Sequence, residues 1–210
     1  MRTLAFVTQK GGSGKSTLAA SLAVAASEQG ARVFLLELDR QGTLSDWAEA
    51  RDAEGGPDFE RIEARALDAA LNRLRGAGYD FAFVDTPGVD SPAVNLAMRA
   101  ADLCLVPCRP TATDLRGALP TVHALIRLAK PFAFVLSQCP PRSARVDETR
   151  AGLAALGLVA DPPIVSRTDH QDALAGGVGV TEFNPTGQAA GEVRALWSSV
   201  VRLCHYKGKP

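Results

Sequence analysis

The sequence predicts a single α/β domain with a doubly wound, mainly parallel β-sheet and helices on both of its faces. Short runs of continuous apolar residues alternate along the chain with longer stretches of helical pattern. Continuous hydrophobicity is typical of strands that are covered by helices on both sides. The 210 residues suffice for one such core, and no linker or change of composition divides them. Residues 1–210 are therefore predicted to form one domain.

The elements follow from the chain in order. Strands are predicted at 4–7, 33–36, 81–84, 103–106 and 132–136, with a short one near 163–165. Helices are predicted at 16–29, around 45–49, and at 66–76, 91–101, 112–128, 145–156 and 187–204. Gly30 suits the end of the first helix, and 52–58 is predicted to be a surface loop. Because ligands of such sheets bind at the carboxyl ends of the strands, we expect the functional residues there.

A phosphate-binding loop is the most specific feature. The segment QKGGSGKST begins at Gln9, directly after an apolar strand and directly before an alanine-rich helix. In such a loop the backbone N–H groups and the helix N-terminus hold phosphates, Lys15 reaches the β- and γ-phosphates, and the Ser16 hydroxyl ligates Mg²⁺. The predicted nucleotide-binding residues are Lys10, Gly11, Gly12, Ser13, Gly14, Lys15, Ser16 and Thr17.

The loop departs from the ordinary pattern at its first positions. Gln9 stands where a glycine is usual, and a second lysine, Lys10, follows it. An extra cation there is unfavourable unless a phosphate chain, either its own or that of a neighbouring subunit, neutralises it. This indicates a nucleotide switch that works as a pair of subunits.

Carboxylates follow two of the predicted strands. Glu37 and Asp39 lie two residues apart, so on an extended strand they face the same way, toward phosphates, Mg²⁺ or water. The alternative is that they cap the helix around 45–49. Asp85 follows the strand at 81–84, where a nucleotide site holds Mg²⁺, usually through water. The alternative for Asp85 is a turn cap.

The composition limits the class of protein. Lys+Arg and Asp+Glu both number 23, so any binding to DNA or anionic lipid needs a local basic patch. No signal segment is recognisable, and no apolar run approaches the roughly 20 residues that span a bilayer. The four cysteines show no CxxC spacing, which favours buried thiols over disulfides or zinc. We expect a soluble, cytoplasmic protein.

Three runs carry a resemblance to a known family: KGGSGKST from Lys10, LLELDRQGTLSDW from Leu35 and YDFAFVDTPG from Tyr79. They resemble the ParA/MinD family of deviant Walker A ATPases, which are P-loop NTPases. The segments at 106–107, 166–167 and 180–183 fit as well. Within the family the chain is most similar to the small ParA-type partition proteins, which have no amino-terminal DNA-binding domain.

The resemblance implies an ATPase with ATP and Mg²⁺ as cofactors. It would form a homodimer on ATP, bind DNA without sequence preference in that state, and so associate with the nucleoid. A ParB-like adaptor or cargo protein would stimulate its slow hydrolysis. Its cargo would be a plasmid, a chromosome or a protein assembly.

The resemblance also implies a role for each matching residue. Lys10 would reach the partner subunit's phosphates, while Lys15 and Ser16 would serve the β/γ-phosphates and Mg²⁺. Asp39 would orient the attacking water, which makes Lys10, Lys15 and Asp39 the catalytic set. Ser16 and Asp85 would form the metal side of the site. The chain departs from the family at two further positions, with Glu37 where Asp is usual and Arg40 where Pro is usual.

Candidate DNA contacts lie in two loops after the predicted strands at 132–136 and 163–165. They are Arg142, Arg145, Arg167 and His170, near positions where ParA-type relatives carry basic residues. Ordinary solvated charge is the alternative for these residues.

Two other functions are kept as alternatives. A membrane-associated relative of the MinD type would use the tail at 191–204 as an amphipathic anchor. Its apolar face would contain Leu196, Trp197, Val200 and Leu203, with Arg202, Lys207 and Lys209 as nearby charges. A metabolic ATP-dependent enzyme or a metal-cluster reductase could share the fold, but the spacing of Cys104 and Cys108 suits no cluster well.

Overall fold

The computed structural model describes residues 1–205, which form seven strands and nine α-helices within that range. The strands are β1 (Arg2–Phe6), β2 (Val33–Glu37), β3 (Asp58–Arg61), β4 (Phe81–Asp85), β5 (Leu103–Cys108), β6 (Phe132–Leu136) and β7 (Leu158–Ala160). The helices are α1 (Lys15–Glu28), α2 (Thr43–Ala50), α3 (Leu67–Gly76), α4 (Pro92–Ala100), α5 (Ala112–Arg127), α6 (Ala144–Ala154), α7 (Thr168–Ala175), α8 (Val180–Phe183) and α9 (Gln188–His205). A 3₁₀ turn, Ala64–Ala66, precedes α3.

The strands form one parallel sheet in the order β3-β2-β4-β1-β5-β6-β7. The order reverses around β1, so the loop after β1 lies at a crevice between β4 and β5. The predicted doubly wound α/β fold is confirmed.

Helices cover both faces of the sheet. Side chains alternate along each buried strand, so each strand contributes to the apolar core on both faces. On β1, Leu4 and Phe6 pack into one apolar cluster with α1, α2, α7, α8 and α9. Ala5 and Val7 pack into a second cluster with α3, α4, α5 and α6. The strands read as continuous apolar runs since each of their faces lies in one of these two cores.

The two edges of the sheet differ from the prediction. The edge strand β3 begins at Asp58, inside the predicted surface loop, and its sequence DFER is half-exposed and has no apolar run to signal it. At the other edge the strand is β7, not 163–165. That predicted strand is wrong: among residues 1–205 a single isolated bridge, between Cys139 and Val165, forms there. Pro162 and Pro163 precede Ile164 and Val165, and neither proline has an N–H to donate to a ladder.

Candidate nucleotide-binding site

The phosphate loop occupies the crevice after β1. Gly12 and Gly14 have φ angles of 72° and 91°, a left-handed conformation that favours glycine. Gly14 is the N-cap of α1, and its carbonyl accepts the first helical hydrogen bond from Leu18 at 2.9 Å. The N–H groups of the first turn thus remain available to an anion. The loop lines an open cleft together with Asp39, Gln41, Thr43, Pro87, Gly88 and Val89.

Lys15 lies beneath the loop and is almost fully buried. Its Nζ donates to the carbonyl oxygen of Lys10 at 3.5 Å. Burial lowers the pKa of Lys15, and the nearby charges of Asp85 and Asp39 partly oppose that shift. A buried ammonium with so few partners is suited to an anionic ligand such as a phosphate.

Ser16 and Asp85 form the predicted metal side of the cleft. The Ser16 hydroxyl donates to Asp85 Oδ2 at 2.6 Å. Asp85 is fully buried, and burial raises the pKa of its carboxyl to about 7, against the effects of Ser16 and Lys15. Its Oδ1 has no hydrogen-bond partner within residues 1–205. A buried carboxylate oxygen without a partner, beside a serine hydroxyl, fits a hard cation such as Mg²⁺ or one of its bound waters.

Glu37 does not face the cleft, and the prediction that both carboxylates do so is wrong for this residue. Its Oε1 accepts the N–H of Leu44 at 2.8 Å, and its Oε2 accepts the N–H and hydroxyl of Ser45 at 3.2 and 2.5 Å. Glu37 therefore caps the start of α2, which was the alternative. The strand ends at Glu37, so the alternation of side chains does not continue to Asp39.

Asp39 lies in the cleft wall, as predicted. It is half-buried, and its Oδ1 accepts the N–H of Gln41 at 3.0 Å. Arg40 is exposed, and its carbonyl accepts a hydrogen bond from Arg61 at 2.9 Å. The loop after β2 is thereby fixed beside the phosphate loop, with the second oxygen of Asp39 left for a ligand or water.

The loop after β4 touches the phosphate loop at Gly88. A Cβ atom at this position would lie 2.9 Å from Gly11 Cα and 3.3 Å from Lys15 Nζ. Only a glycine permits this approach. The segment that follows Asp85 therefore closes one side of the cleft directly over the buried lysine.

Two residues that sequence reasoning missed hold the loop from the β6 side. Ser137 donates from its hydroxyl to the Ser13 carbonyl at 2.8 Å, and Gln138 donates from Nε2 to the Gly12 carbonyl at 2.8 Å. Their position directly after a predicted strand was the available signal, since all parallel strands end at this edge. They fix the loop so that its own N–H groups stay free for a ligand.

Lys10 pairs with a residue that was not predicted. Its Nζ lies 3.1 Å from Oδ2 of Asp114, near the start of α5. Arg109 Nε donates to Asp114 Oδ1 at 3.1 Å, and the Thr111 hydroxyl also donates to this carboxylate. Nothing in the local sequence marked Asp114, which lies far from Lys10 along the chain.

Arg167 and His170 lie in the wall of a cavity of about 130 Å³ beside the phosphate loop, which Gly14 and Thr17 also line. Arg167 pairs with Glu192 at 2.7 Å, and His170 is half-buried. Burial lowers the pKa of His170, and its Nε2 has no partner among the described residues. Both residues are thus partly buried beside the phosphate loop, and DNA contact by either of them stays a prediction.

Arg145 lies in the first turn of α6 and Arg142 lies two residues before that helix, and both are exposed. In the described part of the chain neither forms an ion pair. They are thus free to meet an external anion, and DNA contact by these two residues stays a prediction.

The model of the family described as VirC1 protein matches residues 1–150. The chain belongs to the VirC1 family. Protein virC1 of Rhizobium rhizogenes is 32% identical over 187 residues, covering 83% of this chain and 79% of the relative. Maintenance of carboxysome distribution protein A of Halothiobacillus neapolitanus is 28% identical over 208 residues, covering 95% of this chain and 96% of the relative. Protein ParA of Rhizobium radiobacter is 27% identical over 181 residues, covering 81% of each.

Solved structures agree on the fold of this VirC1-family chain. The septum site-determining protein MinD of Pyrococcus horikoshii, in complex with Mg-ADP, superposes with a TM-score of 0.78 at 19% identity, covering 100% of this chain and 99% of MinD. Apo McdA of Cyanothece gives a TM-score of 0.75 at 17% identity, covering 97% and 99%. The predicted membership in the ParA/MinD group of P-loop ATPases is confirmed.

The amphipathic face of the last helix packs on the core. Leu196, Trp197 and Val200 are buried in α9, and Leu203 packs against the same cluster. Lys207 and Lys209, named for the membrane alternative, lie outside the described residues. None of the helices in residues 1–205 combines the length and apolar character needed to cross a membrane. Cys104 and Cys108, named for the reductase alternative, are buried in β5.

Proposed function

We propose that this VirC1-family chain is an Mg²⁺-dependent ATPase that forms a homodimer around ATP and positions a cargo. In the ATP state it binds DNA without sequence preference and thereby associates with the nucleoid from the cytoplasm. It hydrolyses ATP slowly until a ParB-like adaptor or a cargo protein stimulates it. The combination of a phosphate loop with a second lysine, Lys10, supports this function most directly.

The phosphate end of the nucleotide fits the cleft. Lys15 and the N–H groups of the first turn of α1 would neutralise the phosphate oxygens. Ser16 and Asp85 would hold Mg²⁺, which would neutralise phosphate charge when it is bound. Binding of the ion would require Asp85 to lose the proton that burial favours.

The nucleoside end fits the neighbouring cavity. This cavity adjoins Gly14 and Thr17 and has Gln138, Arg167 and His170 in its wall. The unpartnered Nε2 of His170 is a polar group that a base or ribose could satisfy. We therefore assign Arg167 and His170 to nucleotide binding rather than to DNA.

Hydrolysis needs a positioned water and added positive charge. Asp39 is placed in the cleft wall with one oxygen already held by Gln41, so its other oxygen can orient a water. Lys10 would supply the added charge to the partner's nucleotide, which makes hydrolysis depend on dimerisation. Lys10 of the phosphate loop would thus couple dimerisation to ATP hydrolysis.

DNA binding would depend on the pairing of two modest patches. Arg142 and Arg145 are exposed on each subunit, and two copies brought together by ATP bind better than one because the second contact becomes intramolecular. The test uses light scattering and an electrophoretic shift with random duplex DNA, with a non-hydrolysable ATP analogue or ADP. We expect a dimer and a DNA shift with the ATP analogue only. A monomer with the ATP analogue, or equal DNA retention in both states, would overturn the proposal.

A further inference from the structure

Lys10 is held inside its own subunit. Its side chain is about one quarter exposed, and its Nζ contacts Asp114, whose carboxylate is almost fully buried, at 3.1 Å. The stem of Lys10 lies along α5, where a Cβ on Gly117 would be 3.4 Å from Lys10 Cδ. Lys10 is not among the residues that line the phosphate cleft. The side chain thus extends along α5 and ends on Asp114.

The Asp114 carboxylate is built to accept more than one cation. Oδ2 accepts from Lys10 and from the Thr111 hydroxyl, and Oδ1 accepts from Arg109 at 3.1 Å. Burial favours the neutral acid, but the hydrogen bonds from Thr111, Lys10 and Arg109 outweigh burial and lower the pKa of Asp114. The charged form is therefore the stable one, and it attracts Lys10.

Arg109 and Lys10 occupy different oxygens of this carboxylate. If Lys10 leaves, Arg109 and Thr111 still satisfy the buried charge. Without Arg109, the departure of Lys10 would leave that charge without an ionic partner, which is costly in a buried site. The ion pair with Asp114 therefore opposes the release of Lys10, while Arg109 makes that release possible.

We propose that Asp114 retracts Lys10 in the single subunit, so that dimerisation on ATP must exchange this carboxylate for the partner's phosphates. The proposal rests on the dimerising ATPase proposed above. Arg109 weakens this hold on Lys10 because it neutralises part of the charge of Asp114. Asp114 is thus a positioning residue that opposes dimerisation until ATP supplies a better anion.

The first experiment tests the pairing without nucleotide. Lysines of the free chain are labelled with an amine-reactive reagent at neutral pH, and labelling is quantified by peptide mass spectrometry with Lys130 as internal reference. We expect Lys10 to react more slowly in the wild type than in Asp114→Asn. Equal labelling of Lys10 in the two proteins would overturn the retraction.

The second experiment uses two variants with opposite expected effects. Asp114→Asn keeps the shape of the side chain and should tighten dimerisation on a non-hydrolysable ATP analogue by roughly tenfold, because two retracting ion pairs are lost per dimer. Arg109→Gln should weaken dimerisation, because Lys10 becomes the last cation on Asp114. Dissociation constants come from sedimentation or light scattering across protein concentration, and circular dichroism checks the fold.

The double variant separates retraction from a general loss of structure. Arg109→Gln should have little effect on dimerisation when Asp114→Asn is already present. Weaker dimerisation in Asp114→Asn, or a full effect of Arg109→Gln in the double variant, would overturn the proposal. A wild-type chain that stays monomeric on ATP would overturn the proposed function, while the labelling would still decide whether Asp114 holds Lys10.

Discussion

The carboxylate of Glu37 accepts the backbone N–H of Leu44 at 2.8 Å, so a buried acid at the end of β2 closes the start of α2. The family resemblance implied the shorter Asp at this position. The longer side chain also reaches the N–H and hydroxyl of Ser45. Glu37, a position at which the chain departs from the family pattern, is therefore a structural cap in this protein.

Replacing Glu37 by Gln should destabilise the fold. The amide can accept only through one oxygen, so one of the bonded groups of Leu44 and Ser45 loses its acceptor. We expect the free energy of unfolding to fall by about 1–3 kcal/mol, as measured by urea denaturation. Glu49→Gln on the exposed face of α2 is the matched control and should change stability little. An equal effect of the two changes would contradict the cap.

The two loop lysines should separate nucleotide binding from dimerisation. Lys15→Ala removes the buried cation under the loop, and we expect nucleotide affinity to fall by roughly 100-fold, measured by titration calorimetry. Lys10→Ala should keep nucleotide affinity within about threefold but lose dimerisation and hydrolysis, because its proposed phosphate contact is to the partner's nucleotide. Dimerisation of the Lys10 variant on ATP would refute the role of Lys10 across the interface.

Asp39→Ala should trap an ATP-bound dimer. The change removes the group proposed to orient water but leaves the phosphate loop intact, so hydrolysis should fall by roughly 100-fold while ATP binding survives. Phosphate release under saturating ATP and light scattering measure the two effects. Gln41→Ala, which leaves the Asp39 carboxylate in place, is the control for local loop changes. Loss of ATP binding in Asp39→Ala would show a structural or metal-binding role instead.

The half-buried His170 should lower the free energy of unfolding in acid. Burial lowers the pKa of His170, so between its folded value and the ordinary value of 6.5 the unfolded chain binds more protons than the folded one. The free energy of unfolding should thus decrease as pH falls through and below 6.5, with Glu192, Asp169 and Arg167 as the charges that act on this ring. Urea denaturation at pH 7.5 and 5.5 should show a smaller decrease for His170→Gln. An unchanged decrease would argue against a neutral buried His170.

Charge reversal at the exposed arginines tests the DNA contact. Arg142→Glu and Arg145→Glu should weaken binding to random duplex DNA equally across sequences, and each lost phosphate contact should lower the log–log salt slope by about one. Dimerisation on ATP should be unaffected. His123→Glu, an exposed change on α5, serves as the control. DNA binding that is insensitive to both reversals would move the contact to another surface.

The sequence by itself determined the features that are written in contiguous residues. The strand, glycine loop and helix around Lys15 were predicted from one segment, because a phosphate loop is a local structure whose glycines, lysine and serine are adjacent. The central strands were equally clear, since helices bury both of their faces and leave continuous apolar runs. Both the fold and the family follow from these signals.

Tertiary structure alone decided which distant groups meet at the loop. The parallel strands all end at one edge of the sheet, and this brings together three pairs of residues that are distant in sequence: Asp114 and Lys10, Gln138 and Gly12, and His170 and Thr17. The different placements of Glu37 and Asp39 were also decided there, since the end of β2 breaks the alternation that would have turned both carboxylates the same way. Pairings of this kind depend on the order of the strands, which local composition does not encode.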